Sequence, residues 1–113
     1  MNMTQTIYAI TDTRTDTPVY VGSCLDLLGR IRRHFYRARK LPLGACPVHY
    51  HMNEQGIEHF EIERLGDTDG LLTEEWWIEH LGTFRNGLNR NKSGRAGQPR
   101  KILEAFGTDK VSV

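Results

Sequence analysis

No run of eighteen apolar residues occurs in these 113 residues, which leaves no candidate for a membrane-spanning helix. The segment Met1 to Thr6 is polar and lacks the charged start and apolar core of a secretory signal. Cysteine is scarce. Cys24 and Cys46 stand apart with no CxxC spacing, which argues against a zinc site or a disulfide framework. A reduced, intracellular setting is expected, not a secreted one. Acid is missing from two windows: residues 30–40 and 85–101 each hold six of the fifteen Lys and Arg and contain no Asp or Glu. Nine of the fourteen acids lie between Glu54 and Glu79. The net charge of +1 therefore conceals a polarised chain. Such a chain can present a basic face to phosphate, or simply a solvated helix face and a loose basic tail. Repeats and low-complexity segments are also absent. The length suits one domain over 1–113, with a core at about 5–90 and a basic tail over 91–113.

Ile7-Tyr8-Ala9-Ile10 and Val19-Tyr20-Val21 are short β-branched and aromatic runs bounded by Thr, Asp, Pro and Gly. They read as a hairpin whose loop is 12–17. Leu27, Leu28, Ile31, Phe35 and Ala38 recur at helical spacing, predicting a helix over about 26–39. Pro42, Gly44 and Pro47 make 40–47 a loop, and a short helix over about 48–54 ends at Gly56. The alternation in His59 to Glu63 predicts a strand with one wet face, and Gly66, Asp67, Asp69 and Gly70 predict a turn after it. A helix is expected over 71–81, burying Trp77, Ile78 and Leu81 and leaving Trp76 half exposed. Residues 89–99 read as a basic loop and 99–106 as a terminal helical turn. The fold class is α/β, a small three-stranded, mostly antiparallel sheet (about 5–11, 18–23 and 58–65) flanked by helices.

Glu74 stands out among the carboxylates. It precedes Trp77, Ile78 and Leu81 by three, four and seven positions and shares their apolar stripe, whereas Glu75 points elsewhere. A carboxylate there is either a helix-start acid favoured by the dipole or a hard oxygen ligand for a divalent metal. Arg30 and His34, at i and i+4, can address one target, with Arg forking onto phosphate and His exchanging protons near neutrality. As an isolated pair they also fit a solvated helix edge. Tyr8 and Tyr20 alternate with apolar neighbours like ordinary strand aromatics, yet a hairpin brings their phenols together. His49, His51, His59 and His80 show no metal-cluster spacing and are expected in loop or helix-surface roles.

Taken in order, these residues resemble the GIY-YIG nuclease superfamily. Its first signature is matched by Thr6-Ile7-Tyr8, with Thr in place of Gly, and its second by Tyr20-Val21-Gly22. Arg30 to Phe35, Asn53 to Gly56 with Phe60 to Ile62, and Glu74 to Ile78 running on to Asn86-Gly87-Leu88-Asn89 extend the likeness over about 5–90. In motif the chain is most similar to the catalytic domain of phage- and intron-encoded homing endonucleases. The resemblance implies metal-dependent hydrolysis of a DNA phosphodiester by a one-metal site. Glu74 would hold Mg²⁺ or Mn²⁺ and Tyr8 would act as general base. Tyr20 and His34 would adjust its proton, with the cluster of Arg30, the metal and His34 lowering the phenol pKa. Arg30 would neutralise phosphate charge and Asn89 would brace the site. The loop 40–47 carries no histidine at the auxiliary position some homing enzymes use, so that role is absent or falls to His49 or His51.

The expected function is therefore a divalent-metal-dependent DNA endonuclease acting as a monomer or a transient homodimer on DNA, with no membrane partner. The alternatives are a low-specificity or structure-specific nicking enzyme and a catalytically idle nucleic-acid-binding domain. Arg33, Arg37 and Lys40, with Arg90, Lys92, Arg95, Arg100 and Lys101, are the expected backbone contacts.

Overall fold

A computed structural model describes residues 4–85 and 87–89. The elements in chain order are β1 (Thr6–Asp12), β2 (Thr17–Cys24), α1 (Leu27–Lys40), α2 (Pro47–Gln55), a 3₁₀ turn (Ile57–His59), β3 (Phe60–Asp67) and α3 (Glu74–Leu81). The strands form one open antiparallel sheet in the order β2-β1-β3. With its three helices the fold is α/β, as the periodicities predict.

β1 is the central strand, and that position explains its uninterrupted apolar run. Both its faces are covered, so Ile7, Tyr8, Ala9 and Ile10 are all buried. Alternation along the strand divides the core. Tyr8 and Ile10 pack with Ala38 of α1, Val48 and Met52 of α2, and Phe60. Ile7 and Ala9 pack with Val21, with Ile78 of α3, and with Phe84. Thus α1 and α2 cover one face and α3 the other. Each fully buried aliphatic side chain contributes about 1.5–3 kcal/mol. The β1–β3 register shifts between Ile7 and Tyr8, where Gly66 and Arg64 are the successive partners and Leu65 is skipped. Such a bulge bends the strand that carries the extra residue, here β3 at Leu65, opposite Ile7 and Tyr8.

Several boundaries differ from expectation. β3 runs on to Asp67 because β1 offers partners as far as Thr6, so Gly66 and Asp67 lie in the ladder and the turn closes later, with Gly70 N–H donating to Asp67 at 2.9 Å. α3 starts at Glu74, not at 71. The Thr73 hydroxyl accepts the Trp76 N–H at 3.0 Å and caps the helix there, leaving Leu71 and Leu72 outside it and exposed. Trp77 and Leu81 are only half-buried, at the margin of the Ile78 cluster. Leu28 points outward, since the inner face of α1 is filled by His34 and Ala38. α2 includes Pro47, whose fixed φ and missing N–H suit a first helical position. Both cysteines are free. No described helix is long and apolar enough to cross a membrane. Arg90, Lys92, Arg95, Arg100 and Lys101, the loop over 90–99 and the turn over 99–106 lie outside the described residues.

Candidate functional site

The site begins with a close approach between neighbouring strands. Tyr8 pairs across the sheet with Gly22. A Cβ at Gly22 would lie 2.6 Å from the Tyr8 hydroxyl oxygen and 2.7 Å from the ring carbon bearing it. Only glycine leaves room for the phenol there. Tyr20 pairs with Ile10, so it is the diagonal neighbour of Tyr8 on the same face. The two ring centroids are 6.4 Å apart and tilted by 42°.

α1 delivers His34 into the same cluster. Its centroid lies 5.5 Å from Tyr8 and 5.8 Å from Tyr20. His34 Nε2 meets the Tyr8 Oη at 2.7 Å, both groups being buried. Its other nitrogen, Nδ1, meets His49 Nε2 at 2.9 Å. His49 in turn accepts the backbone N–H of Cys46 at Nδ1, also at 2.9 Å. His49 therefore does not occupy the surface position expected of it. It is 3 % exposed, because its place three residues after the Cys46 cap turns the ring back into the helix start and against His34. That capping spacing is the one local signal present in the sequence; the meeting with His34 depends on how α1 and α2 pack.

Burial sets the proton affinities. It raises the Tyr8 phenol well above the ordinary tyrosine range, and the neighbouring Tyr20 adds to the rise. The Arg30 guanidinium, one turn before His34, opposes both by its charge and its N–H. The net direction from these protein groups is upward. Burial also pushes His34 down to about 3, with His49 and Arg30 contributing in the same direction. His49 is pushed down to about 4, again first by burial, then by Arg37 and Arg33. Both imidazoles are neutral at physiological pH.

Asn89 acts on the backbone. Its side-chain oxygen accepts from Val21 N–H and its amide donates to Val21 C=O, each at 2.8 Å, so it completes the ladder on the open edge of β2. Leu88 N–H donates to Val19 at 2.7 Å, and Asn89 N–H donates to Thr83 at 2.9 Å. Gly87 makes the approach possible, since a Cβ there would lie 2.7 Å from the Val19 carbonyl. Glu74 opens α3, which packs against β2, and is 7 % exposed, whereas Glu75 is exposed. Tyr8, Tyr20, Arg30 and His34 thus gather on one face, while Glu74 is carried by the helix on the other. Arg33, Arg37 and Lys40 follow Arg30 along α1, with Arg33 and Lys40 exposed.

The remaining histidines have separate surroundings. His51 packs edge-on against Phe60 at 5.6 Å, His59 lies 3.5 Å from Glu58, and His80 stacks on Trp76 at 4.4 Å. Among the described residues, no three His, Cys, Asp or Glu side chains converge as a metal cage. The chain matches no protein-family model, no curated protein and no solved structure.

Proposed function

We propose that this chain is a divalent-metal-dependent DNA endonuclease of the GIY-YIG kind. The observation that carries the reading is the buried contact between Tyr8 and His34, with Tyr20 beside it and Arg30 one turn away. Ordinary strand aromatics do not require a buried imidazole on the phenol oxygen and an arginine at its side. A group of this composition can hold a proton and bind an anion, which are the two tasks of phosphodiester hydrolysis.

Glu74 would hold Mg²⁺ or Mn²⁺. With no three His, Cys, Asp or Glu side chains converging among the described residues, the buried Glu74 carboxylate fits an ion that keeps most of its waters and takes its other oxygens from phosphate, and it does not fit an all-protein cage. When bound, the ion supplies positive charge to the phosphate and the leaving oxygen. Arg30 forks onto the phosphate oxygens and is worth most as their charge grows in the transition state. Tyr8, as the phenolate left once its own proton has passed to solvent, would receive the proton of the attacking water. Its burial works against the phenolate this requires, so Arg30 and His34 are indispensable to it. Asn89 contributes by holding β2, and with it Tyr20 and Gly22, in register.

The test is incubation with supercoiled plasmid, and in parallel with branched oligonucleotides, in Mg²⁺ or Mn²⁺ and then in EDTA. Nicked or linear product that disappears with EDTA is expected. DNA binding with no cleavage of either substrate in either metal would leave a nucleic-acid-binding domain and overturn the enzymatic reading.

A further inference from the structure

The three hydrogen bonds that end at Tyr8 have a direction, and one backbone amide sets it. An amide N–H can only donate, so the 2.9 Å contact from Cys46 makes His49 Nδ1 an acceptor. A neutral imidazole with an unprotonated Nδ1 carries its hydrogen on Nε2. His49 Nε2 therefore donates to His34 Nδ1 across 2.9 Å. His34 Nδ1 is then an acceptor, and its own hydrogen sits on Nε2, facing the Tyr8 oxygen at 2.7 Å. The opposite tautomer of His34, or its imidazolium, would point an N–H at the N–H of His49. The depressed proton affinity of both rings agrees with this arrangement.

We propose that His49 is a positioning residue: held by the Cys46 amide, it locks His34 as a hydrogen-bond donor to the Tyr8 oxygen. The direction of the chain stands on geometry alone, and its use in cleavage rests on the nuclease reading. Its consequence is specific. His34 Nε2 already carries a hydrogen, so it cannot take the Tyr8 proton, and its part is to stabilise the phenolate by donation. The Tyr8 hydroxyl hydrogen is turned away from His34. Acting through His34, His49 needs no contact with substrate.

Two substitutions separate this role from simple capping. His49→Glu retains a side chain that accepts the Cys46 amide, and Glu is a common residue at this capping position. It cannot donate, so it draws a hydrogen onto His34 Nδ1 and reverses or charges the chain. His49→Gln accepts from Cys46 with its oxygen and donates to His34 with its amide, preserving the direction. Two-bond nitrogen–proton correlation spectra of the imidazoles, recorded at neutral pH, should show His34 with its hydrogen on Nε2 in the wild type and in His49→Gln. In His49→Glu, Nδ1 should be protonated. Single-turnover cleavage should stay within a few-fold of wild type in His49→Gln and fall about 10²-fold or more in His49→Glu, as when a catalytic imidazole is held in the wrong tautomer. Wild-type His34 with its hydrogen on Nδ1 overturns the proposal, as does wild-type cleavage by His49→Glu. If the wild type cleaves nothing, the nuclease reading fails and the spectra still decide the direction.

Discussion

At the scale of single residues, the two tyrosines share a face but not a task. Tyr8 is fully buried, bonded to His34 and pressed against Gly22, whereas Tyr20 is half-buried on the edge strand. Tyr8→Phe keeps the packed ring and removes the oxygen on which Arg30 and His34 act. Its single-turnover rate should fall about 10²–10⁴-fold. Tyr20→Phe should cost less, since in the proposed mechanism its phenol only stands beside that of Tyr8. Equal, near-wild-type rates in both variants would reduce the pair to core aromatics. The types and order of these residues are legible in the sequence. The role of Gly22 is legible only as a letter in a motif, because the 2.6 Å limit on its Cβ comes from the register of two strands. The burial of His49 is legible only in its spacing from the Cys46 cap; its meeting with His34, fifteen residues away in the chain, is not.

At the scale of elements, α1 joins the interior of the site to its charged exterior. His34 and Ala38 face inward, while Arg33 and Lys40 point to solvent and Arg37 lies half-buried near the Gly44 carbonyl. Arg37, Arg39 and Lys40 also suit the negative end of the helix dipole. Charge reversal at Arg33 should weaken binding to all DNA sequences alike and reduce the salt dependence by about one unit of slope for each phosphate it no longer neutralises. Titrations at several salt concentrations check this, and an unchanged slope would remove Arg33 from the interface. Helical periodicity locates α1 well but misplaces the start of α3. Leu71 and Leu72 extend the apolar pattern, yet Thr73 offers a cap that ends the preceding turn, and local capping outweighs hydropathy.

At the scale of the whole molecule, the buried imidazoles tie folding to pH. Native His34 and His49 titrate at about 3 and about 4, against an ordinary 6.5. As pH falls from 6.5 toward 3, the unfolded chain takes up protons that the native chain refuses, so stability is lost through that window. The raised Tyr8 phenol has the mirror effect, with stability lost as pH rises above its ordinary 10.0. The urea midpoint should therefore be highest near neutrality and fall on acidification, with a shallower acid limb in His34→Gln. A midpoint unchanged between about pH 7 and about pH 4 would contradict the buried neutral pair. The sheet and helices are readable from apolar runs and spacing, because the central strand buries both faces and the helices bury one. The division of the site between the two sheet faces is not readable, since it depends on which side of β1 each helix takes.

That division makes Glu74 the decisive residue, the acid through which α3 would complete the group formed by β1, β2 and α1. The most direct measurement is single-turnover cleavage of DNA in Mg²⁺ by Glu74→Ala, with affinity for the same DNA measured in parallel and Glu75→Ala as the control. The expected result is unchanged affinity and loss of all but a few per cent of the cleavage rate in Glu74→Ala, with Glu75→Ala near wild type. Cleavage by Glu74→Ala at a substantial fraction of the wild-type rate would contradict a one-metal nuclease built on this carboxylate.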